Sequence, residues 1–240
     1  VERVVVLTAA DCEIISALGC ESLLVGRGEY CDYPASVLEI PSVQSGYETN
    51  IEQIIALNPQ VVVMGSMDQW EEQAQALSQA GIATVFTDAQ SIEGVYQAIT
   101  FLGDVLDRPQ QAQQLVEKMQ NTFAEIRDKA GKHQNKGSVY FEVSPLEYGL
   151  WTAGQDTFMD EIATLLGLNN IFADMKGWGE ISQEQVIARR PDYIVTVTMY
   201  FGEGPRPEEE IAARKGWESF PAVEQGNIIH SNSDEITRPG

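Results

Sequence analysis

Two ten-residue stretches of this chain share one design. Residues 50–59 read Asn-Ile-Glu-Gln-Ile-Ile-Ala-Leu-Asn-Pro and lead into Val61-Val62-Val63; residues 182–191 read Ser-Gln-Glu-Gln-Val-Ile-Ala-Arg-Arg-Pro and lead into Tyr193-Ile194-Val195. Glu, Gln, Ile, Ala and Pro recur at identical places. Asn50 and Ser182 are strong N-cap residues, and Gln53 and Gln185 stand three positions on, the spacing of a capping box. Pro59 and Pro191 stop each helix, because a proline drives the preceding residue out of the helical region. An apolar run of strand length follows each. A helix handing over to a buried strand, twice in 240 residues, predicts two halves built alike, each an α/β layer structure.

The rest of the sequence carries the same alternation. Strands are expected at residues 4–7, 61–64, 83–86, 138–143, 193–197 and 227–230, with amphipathic segments such as 70–80 and 157–166 between them. Such alternation predicts parallel sheets covered by helices. Residues 91–130 break the rhythm. They carry no strand signal and read as two helices parted at Asp107-Arg108-Pro109, with Pro109 in the first turn of the second. Beyond it Ala112, Leu115, Val116, Met119, Phe123 and Ile126 recur at helical spacing. A helix over 110–129 would be a rod roughly 30 Å long. The expected organisation is an N-terminal lobe over residues 1–107, a bridging helix over 108–131 and a C-terminal lobe over 132–240. In fold terms this is an α/β chain of two lobes, with mostly parallel sheets flanked by helices, joined by one long helix.

Composition then narrows the function. With 15 Lys+Arg against 36 Asp+Glu the net charge is −21, which repels nucleic acid and anionic membrane and removes both as partners. No apolar run reaches the ~18 residues of a membrane span. The opening apolar run at residues 4–7 is too short for a signal segment and reads as a strand, so the numbering is expected to begin after a removed export segment. The sequence has no H-E-x-x-H, G-x-S-x-G or Walker P-loop, and the G-x-G pairs at Gly26–Gly28 and Gly202–Gly204 precede no evident phosphate-binding helix. The two histidines are His133, in a polar linker, and His230, at a strand end; two are too few for a transition-metal carrier. No catalytic residue, metal site or cofactor is expected. The cysteines, Cys12, Cys20 and Cys31, include no C-x-x-C pair. Cys12 and Cys20 fall in an apolar helical stretch and read as core. Cys31 lies in a polar loop, open to pairing with Cys20 in an oxidising compartment.

Carboxylates and aromatic rings remain. Glu52 and Glu184, 132 positions apart, occupy the same place in the first turn of each repeat helix. Two readings stand: they complement the helix dipole, worth about 0.3–1 kcal/mol, or they are presented to a partner. Aromatic side chains stand in glycine-rich connections. Tyr30 precedes Cys31-Asp32-Tyr33-Pro34, Tyr47 follows Ser45-Gly46, and Trp151 lies between Gly149 and Gly154. Trp178 lies between Gly177 and Gly179, and Tyr200-Phe201 follows the 193–197 strand. Ligands of open α/β sheets lie beyond the carboxyl ends of the strands, and flat rigid rings there suit a large, partly apolar ligand.

Taken together, these residues resemble the binding proteins of ABC importers for vitamin B12, iron-siderophores and haem, with the vitamin B12 branch nearest. Four stretches carry the resemblance: Arg3-Val4-Val5-Val6-Leu7 with the Glu13 helix and Ala17-Leu18-Gly19; Tyr30-Cys31-Asp32-Tyr33-Pro34; residues 50–59 with their strand; and residues 178–186. They span nearly the whole chain. The resemblance implies class III binding-protein architecture, no enzymatic activity, and a monomeric, exported protein, periplasmic or lipid-anchored on the outer face of the cytoplasmic membrane. It implies that Glu52 and Glu184 meet arginines on the two subunits of an ABC permease dimer. It implies ligand contacts for Tyr30, Trp151 and Trp178, and for Arg238 in a last cleft loop over residues 233–240. Gly46-Tyr47 stands where the vitamin B12 branch carries a cleft tryptophan. Tyr47, Tyr200 and Phe201 complete the candidate ligand residues. An aromatic cleft poor in Arg and Lys favours a cobalamin-like corrinoid. A ferric siderophore or haem is the alternative metal-chelate ligand for the same importer class, and a ligand sensor or enzyme subunit on the same fold is the alternative of a different class. The family continues into a C-terminal helix past Gly240, so the second lobe is expected to lack that element.

Overall fold

A computed structural model describes residues 1–46, 48–66, 69–132, 137–198, 200, 202, 204–232, 236 and 238. The chain divides into two units, 1–120 and 121–238. The first holds a five-stranded sheet, β1 Val4–Val6, β2 Leu24–Gly28, β3 Ser42–Val43, β4 Val61–Met64 and β5 Ala83–Phe86, in the order β3-β2-β1-β4-β5. Every neighbouring pair is parallel. The chain winds outward from β1 to β3, then returns to β4 beside β1. At such a reversal the loops leave their strands in opposite directions and open a crevice at the carboxyl ends. The helices are α1 Ala9–Ala17, α2 Ile51–Ala56, α3 Trp70–Gln79, α4 Ile92–Val105 and α5 Pro109–Ala130.

β1 and β4 are near-continuous valine because both of their faces are covered. Val4, Val6, Val61 and Val63 pack against Cys12 and Ile15 of α1, Ile99 and Leu102 of α4, and Ala112 of α5. Val5, Val62 and Met64 pack on the opposite side against Ile54 of α2 and Leu77 of α3. Asp107, at φ 58°, ends α4 in the left-handed region, and α5 then runs unbroken through the strandless segment. The division between the two units falls inside α5.

The second unit contains β6 Ser138–Glu142, β8 Asn169–Asn170, β10 Tyr193–Thr196 and β11 Ile228–His230 in a sheet ordered β11-β10-β6-β8, and a separate ribbon of β7 Leu150–Ala153 and β9 Trp178–Ile181. The four-stranded sheet is parallel throughout and the ribbon antiparallel. Its helices are α6 Phe158–Leu165, α7 Gln183–Arg189, α8 Pro207–Ala212 and α9 Pro221–Glu224. Read from the other edge, β8-β6-β10-β11 reproduces β2-β1-β4-β5, so the sequence repeat marks a repeat of four strands, with β3 unmatched in the second sheet. Tyr140 and Ile194 face Val186, Trp217 and Phe220, while Val139 and Phe141 face Met159 and Ala163 of α6.

The two motif copies fold alike in detail. The Asn50 side chain accepts from Gln53 N at 3.0 Å, and Ser182 Oγ from Gln185 N at 3.3 Å. Ile54 and Val186 are the buried residue of each helix. Asn58 and Arg190, at φ 49° and 46°, turn each chain into its proline in the left-handed region. Only α7 closes the full box, with Gln185 Oε1 accepting from Ser182 N at 2.8 Å. In α2 the Gln53 carbonyl accepts instead from Gln44 N at 3.0 Å.

Three sequence expectations need correction. Gly26–Gly28 belongs to strand β2, where the sequence reading placed no strand. Cys31 lies fully buried, and its thiol faces Cys12, whereas the Cys20 thiol faces the Leu18 carbonyl at 3.7 Å; all three cysteines are free. Trp151 and Trp178 stand on strands of the ribbon and not in loops. Tyr47, His133 and Phe201 lie outside the described residues.

Candidate ligand-binding and docking surfaces

The aromatic candidates gather at the carboxyl ends of the two sheets, each within its own unit. In the first, β2 ends at Gly28 and turns at once, with Cys31 N donating to Gly28 O at 3.1 Å. Arg27, almost wholly buried, lies under this turn and donates from Nη1 to the Cys31 and Gly28 carbonyls at 3.1 and 3.3 Å. The turn lifts Tyr30 into solvent, 66% exposed. Its ring rests over the loop that follows β3: a Cβ on Gly46, itself at φ 102°, would stand 3.3 Å from Tyr30 Cε2. Ser45 Oγ accepts from Glu29 N at 3.2 Å and ties the two loops together. Tyr33, 64% exposed on the same turn, is a further aromatic that the Asp-Tyr-Pro stretch signalled but the sequence reading left unassigned.

In the second unit the ribbon carries the two candidate tryptophans. Leu150, Trp151, Thr152 and Ala153 pair with Ile181, Glu180, Gly179 and Trp178. Side chains alternate between faces along a strand, so Leu150, Thr152 and Ile181 point inward and are buried, while Trp151, Trp178 and Glu180 share the other face. The two indoles are diagonal neighbours across the ribbon, a pairing within reach of large rings. They remain 42% and 40% exposed. Phe158 of α6 supports Trp178 with ring centroids 5.9 Å apart. Val143 N donates to Trp151 O at 3.0 Å, which fixes the ribbon to the carboxyl end of β6. Tyr148, 77% exposed between β6 and β7, adds a ring that sequence reasoning missed, because its neighbours carry no turn glycine before it.

Tyr200, after β10, is 38% exposed and donates to Gly204 O at 3.4 Å. Thus Trp151, Trp178 and Tyr200 all belong to one sheet end, and Tyr30 to the other. Arg238 is half-buried in the second unit, near the end of the chain. At the end of β11, His230 Nε2 lies 2.8 Å from Thr198 O and its Nδ1 3.7 Å from Glu208. Among the described residues there is no group of three His, Cys, Asp or Glu side chains suited to a metal ion, and no helix is long and apolar enough to cross a membrane.

Each sheet end rests on a buried carboxylate. Asp11, on α1, accepts from Thr87 Oγ1 at 2.7 and 2.8 Å and from the Thr8 hydroxyl. Burial pushes its carboxyl above the ordinary range, and the two hydroxyls draw it back. Glu142, the last residue of β6, accepts from both Nη atoms of Arg214 at 2.6 and 2.9 Å. Burial pushes Glu142 up as well, against the pull of Arg214.

Glu52 and Glu184 are exposed in the first turns of α2 and α7. The Glu184 backbone N–H and the Ser182 hydroxyl hold its carboxyl below the ordinary range, so it stays ionised. One turn on, Ile55 and Ile187 stand 41% and 37% exposed. Each repeat therefore presents a carboxylate beside an uncovered isoleucine.

Parallel sheets whose carboxyl ends display exposed aromatic rings define a ligand-binding α/β protein. Residues 4–235 match the family model described as periplasmic binding protein, and the chain belongs to that family. It is 32% identical, over its whole length and 75% of the relative, to an uncharacterised ABC transporter substrate-binding lipoprotein, YvrC, of Bacillus subtilis (strain 168). It is 33% identical over 80% of its length to the vitamin B12-binding protein of Salmonella paratyphi A, covering 71% of that protein. Among solved structures, a possible iron-binding periplasmic solute-binding protein of Staphylococcus epidermidis superposes with a TM-score of 0.86 at 29% identity, covering all of this chain and 93% of that one.

Proposed function

We propose that this chain is the substrate-binding component of an ABC importer, exported and monomeric, which takes up a cobalamin-like corrinoid and delivers it to a dimeric permease without chemical change. The observation that carries the reading is the shared exposed face of Trp151 and Trp178 on the β7–β9 ribbon. Two indoles held at strand spacing match a broad, rigid, partly apolar ligand better than a small polar one. Tyr30 from the first unit and Tyr200 from the second add rings to the same role, with Tyr47, Phe201 and Arg238 proposed beside them. The ligand named for the Salmonella relative supports the corrinoid. A ferric siderophore or haem is the second reading, favoured by the description of the Staphylococcus protein. Glu180 shares the ribbon face with both tryptophans, and a carboxylate there disfavours the acidic groups of haem and of anionic siderophores.

Glu52 and Glu184 are proposed as the contacts to basic residues of the two permease subunits. Equivalent sites on two similarly built units suit a two-fold partner, and exposed charges at such a surface set register and encounter rate. The bridging role of α5 between an N-terminal lobe and a C-terminal lobe belongs to the same reading.

The test is a tryptophan-fluorescence titration with cobalamin, cobinamide, haem and several ferric siderophores. Saturable quenching by the corrinoids is expected, with Trp151→Ala and Trp178→Ala each weakening binding by about 1–3 kcal/mol, the loss of a central aromatic anchor. Unchanged affinity in both variants removes the ribbon from the site, and saturation by haem alone hands the ligand to the second reading.

A further inference from the structure

Beneath the exposed Tyr30 turn, two thiols meet. Cys12 sits on α1, one turn beyond Thr8, whose carbonyl accepts from Cys12 N at 3.1 Å. Cys31 follows β2 by three residues, pinned by its N–H on Gly28 O at 3.1 Å and by Arg27 on its carbonyl at 3.1 Å. Its Sγ lies 3.8 Å from the carbonyl of Val6, the last residue of β1. Because β1 and β2 are adjacent and parallel, the chain leaves both at the same end, and α1 folds back over the pair. The Cys31 thiol points to the Val6 carbonyl, and the side chains of Cys12 and Cys31 are neighbours, with both residues fully buried in the same apolar cluster. Cys20 belongs to that cluster too, but its thiol faces the Leu18 carbonyl at 3.7 Å. Packing alone asks for small apolar side chains at these positions and gives no reason for two sulfurs to touch.

We propose that Cys12 and Cys31 become an intramolecular disulfide as the chain folds in an oxidising compartment, binding the Tyr30 turn to α1. The inference rests on the proposed export of the chain. The oxidant is a small-molecule or protein disulfide. The Cys12 thiolate attacks one of its sulfurs and releases the first thiol. Cys31 loses its proton and attacks Cys12 Sγ in the mixed disulfide, releasing the second. The two cysteines are oxidised, the external disulfide is reduced to two thiols, and the electrons balance. The two cysteines can exchange roles without altering the balance, because before folding their thiols are alike. The exchange belongs to folding, before α1 closes, since neither sulfur meets solvent afterwards. The bond encloses residues 13–30, including β2, and ties the aromatic turn to the first helix of the unit.

The full-length chain, unfolded in reductant and refolded in oxidised and reduced glutathione, tests this directly. After alkylation and digestion without reduction, a Cys12-to-Cys31 peptide pair lacking two hydrogens is expected, with Cys20 still a thiol. The oxidised protein should melt roughly 6–12 °C above the reduced one, the shift a loop of this size gives a domain of this size. Cys12→Ser should abolish the difference between redox buffers, and if that variant does not fold, the wild-type peptide map decides alone. Three alkylatable cysteines, glutathione adducts, or a bridge using Cys20 would overturn the pairing and leave the importer reading untouched. A second arm maps the protein from its native cells after acid quenching. Recovery there with Cys12 and Cys31 as thiols, although the bond forms in the tube, overturns formation of the bond in the cell and counts against export.

Discussion

Arg214 should be the most costly single side chain to remove from the second unit. It is almost wholly buried and donates four hydrogen bonds: Nη1 and Nη2 to Glu142, and Nε and Nη2 to Glu210. Its guanidinium also stacks over Trp217, 4.6 Å from the ring centroid. Replacing it with Met keeps most of the aliphatic volume but leaves Glu142, 1% exposed, without a counter-charge. Breaking one side of a buried pair costs about 3–5 kcal/mol, which in a protein of this size lowers the melting midpoint by roughly 6–20 °C. The loss must depend on pH. Burial already raises Glu142, and Arg214 is what pulls it down, so the variant holds Glu142 higher still. A carboxyl whose folded value lies above its unfolded value binds its proton more tightly when folded, so stability is regained as pH falls through the folded value. Below that point the penalty relative to wild type should shrink, by at most about 1.4 kcal/mol per pH unit. Glu142→Gln/Arg214→Met should recover most of the loss, because both charges leave together. Guanidinium unfolding followed by fluorescence reads this well, since Trp151, Trp178 and Trp217 all lie in the second unit. A loss that stays the same from pH 5 to 8, together with an additive double variant, would refute an uncompensated Glu142 charge as its cause.

Asp11→Asn should change the pH profile of the first unit. Asp11 is raised above 3.8 by burial, so wild-type stability falls as pH rises through its folded value; in paired melts the variant should gain on wild type from pH 4 to 7, and parallel curves would sink the idea. Ser182→Ala should cost about 1 kcal/mol through loss of the α7 cap, read as a lower denaturation midpoint with ligand affinity unchanged; an unaltered midpoint would show the cap to be redundant. Glu52→Arg/Glu184→Arg should leave ligand binding near wild type and abolish uptake into vesicles carrying the cognate permease, because like charges at the interface add repulsion to a lost contact. Normal uptake by that variant would leave Glu52 and Glu184 as helix-dipole partners only.

The central strands were legible because covered parallel strands must be apolar on both faces, and Val61-Val62-Val63 admits few other readings. β2 was not legible, for a reason the packing supplies. A Cβ on Gly28 would stand 2.4 Å from the Leu7 carbonyl oxygen, and one on Gly26 2.4 Å from Leu57 Cδ1. The close approach that demands glycine strips the strand of its β-branched signature. Arg27 hides it further by spending a charged side chain inside. The ribbon escaped for another reason: its strands are separated by α6 and β8, and local pattern carries no trace of a distant partner. The aromatic candidates were found as residues, yet the common face of Trp151 and Trp178 is a product of register. The pairing of Cys31 with Cys12 is likewise set by which strands lie side by side, whereas the polarity of residues 28–34 pointed to solvent.

The incomplete capping box of α2 has a mechanical corollary. Gln44 donates to Gln53 and its carbonyl accepts from Asn50 N at 3.0 Å, so the segment after β3, which leads to Ser45 and Gly46, is laced to the first turn of the helix bearing Glu52. In the second unit the lacing is the chain itself: β9 runs from Trp178 straight into Ser182, the cap of the helix bearing Glu184. Under the proposed roles, each half-molecule is a short lever with cargo at one end and membrane partner at the other. Work done at one end is felt at the other, and by reciprocity whatever binding free energy the cargo adds at the two carboxylates a partner held there adds back at the cargo, so unloading must draw on work done by the transporter.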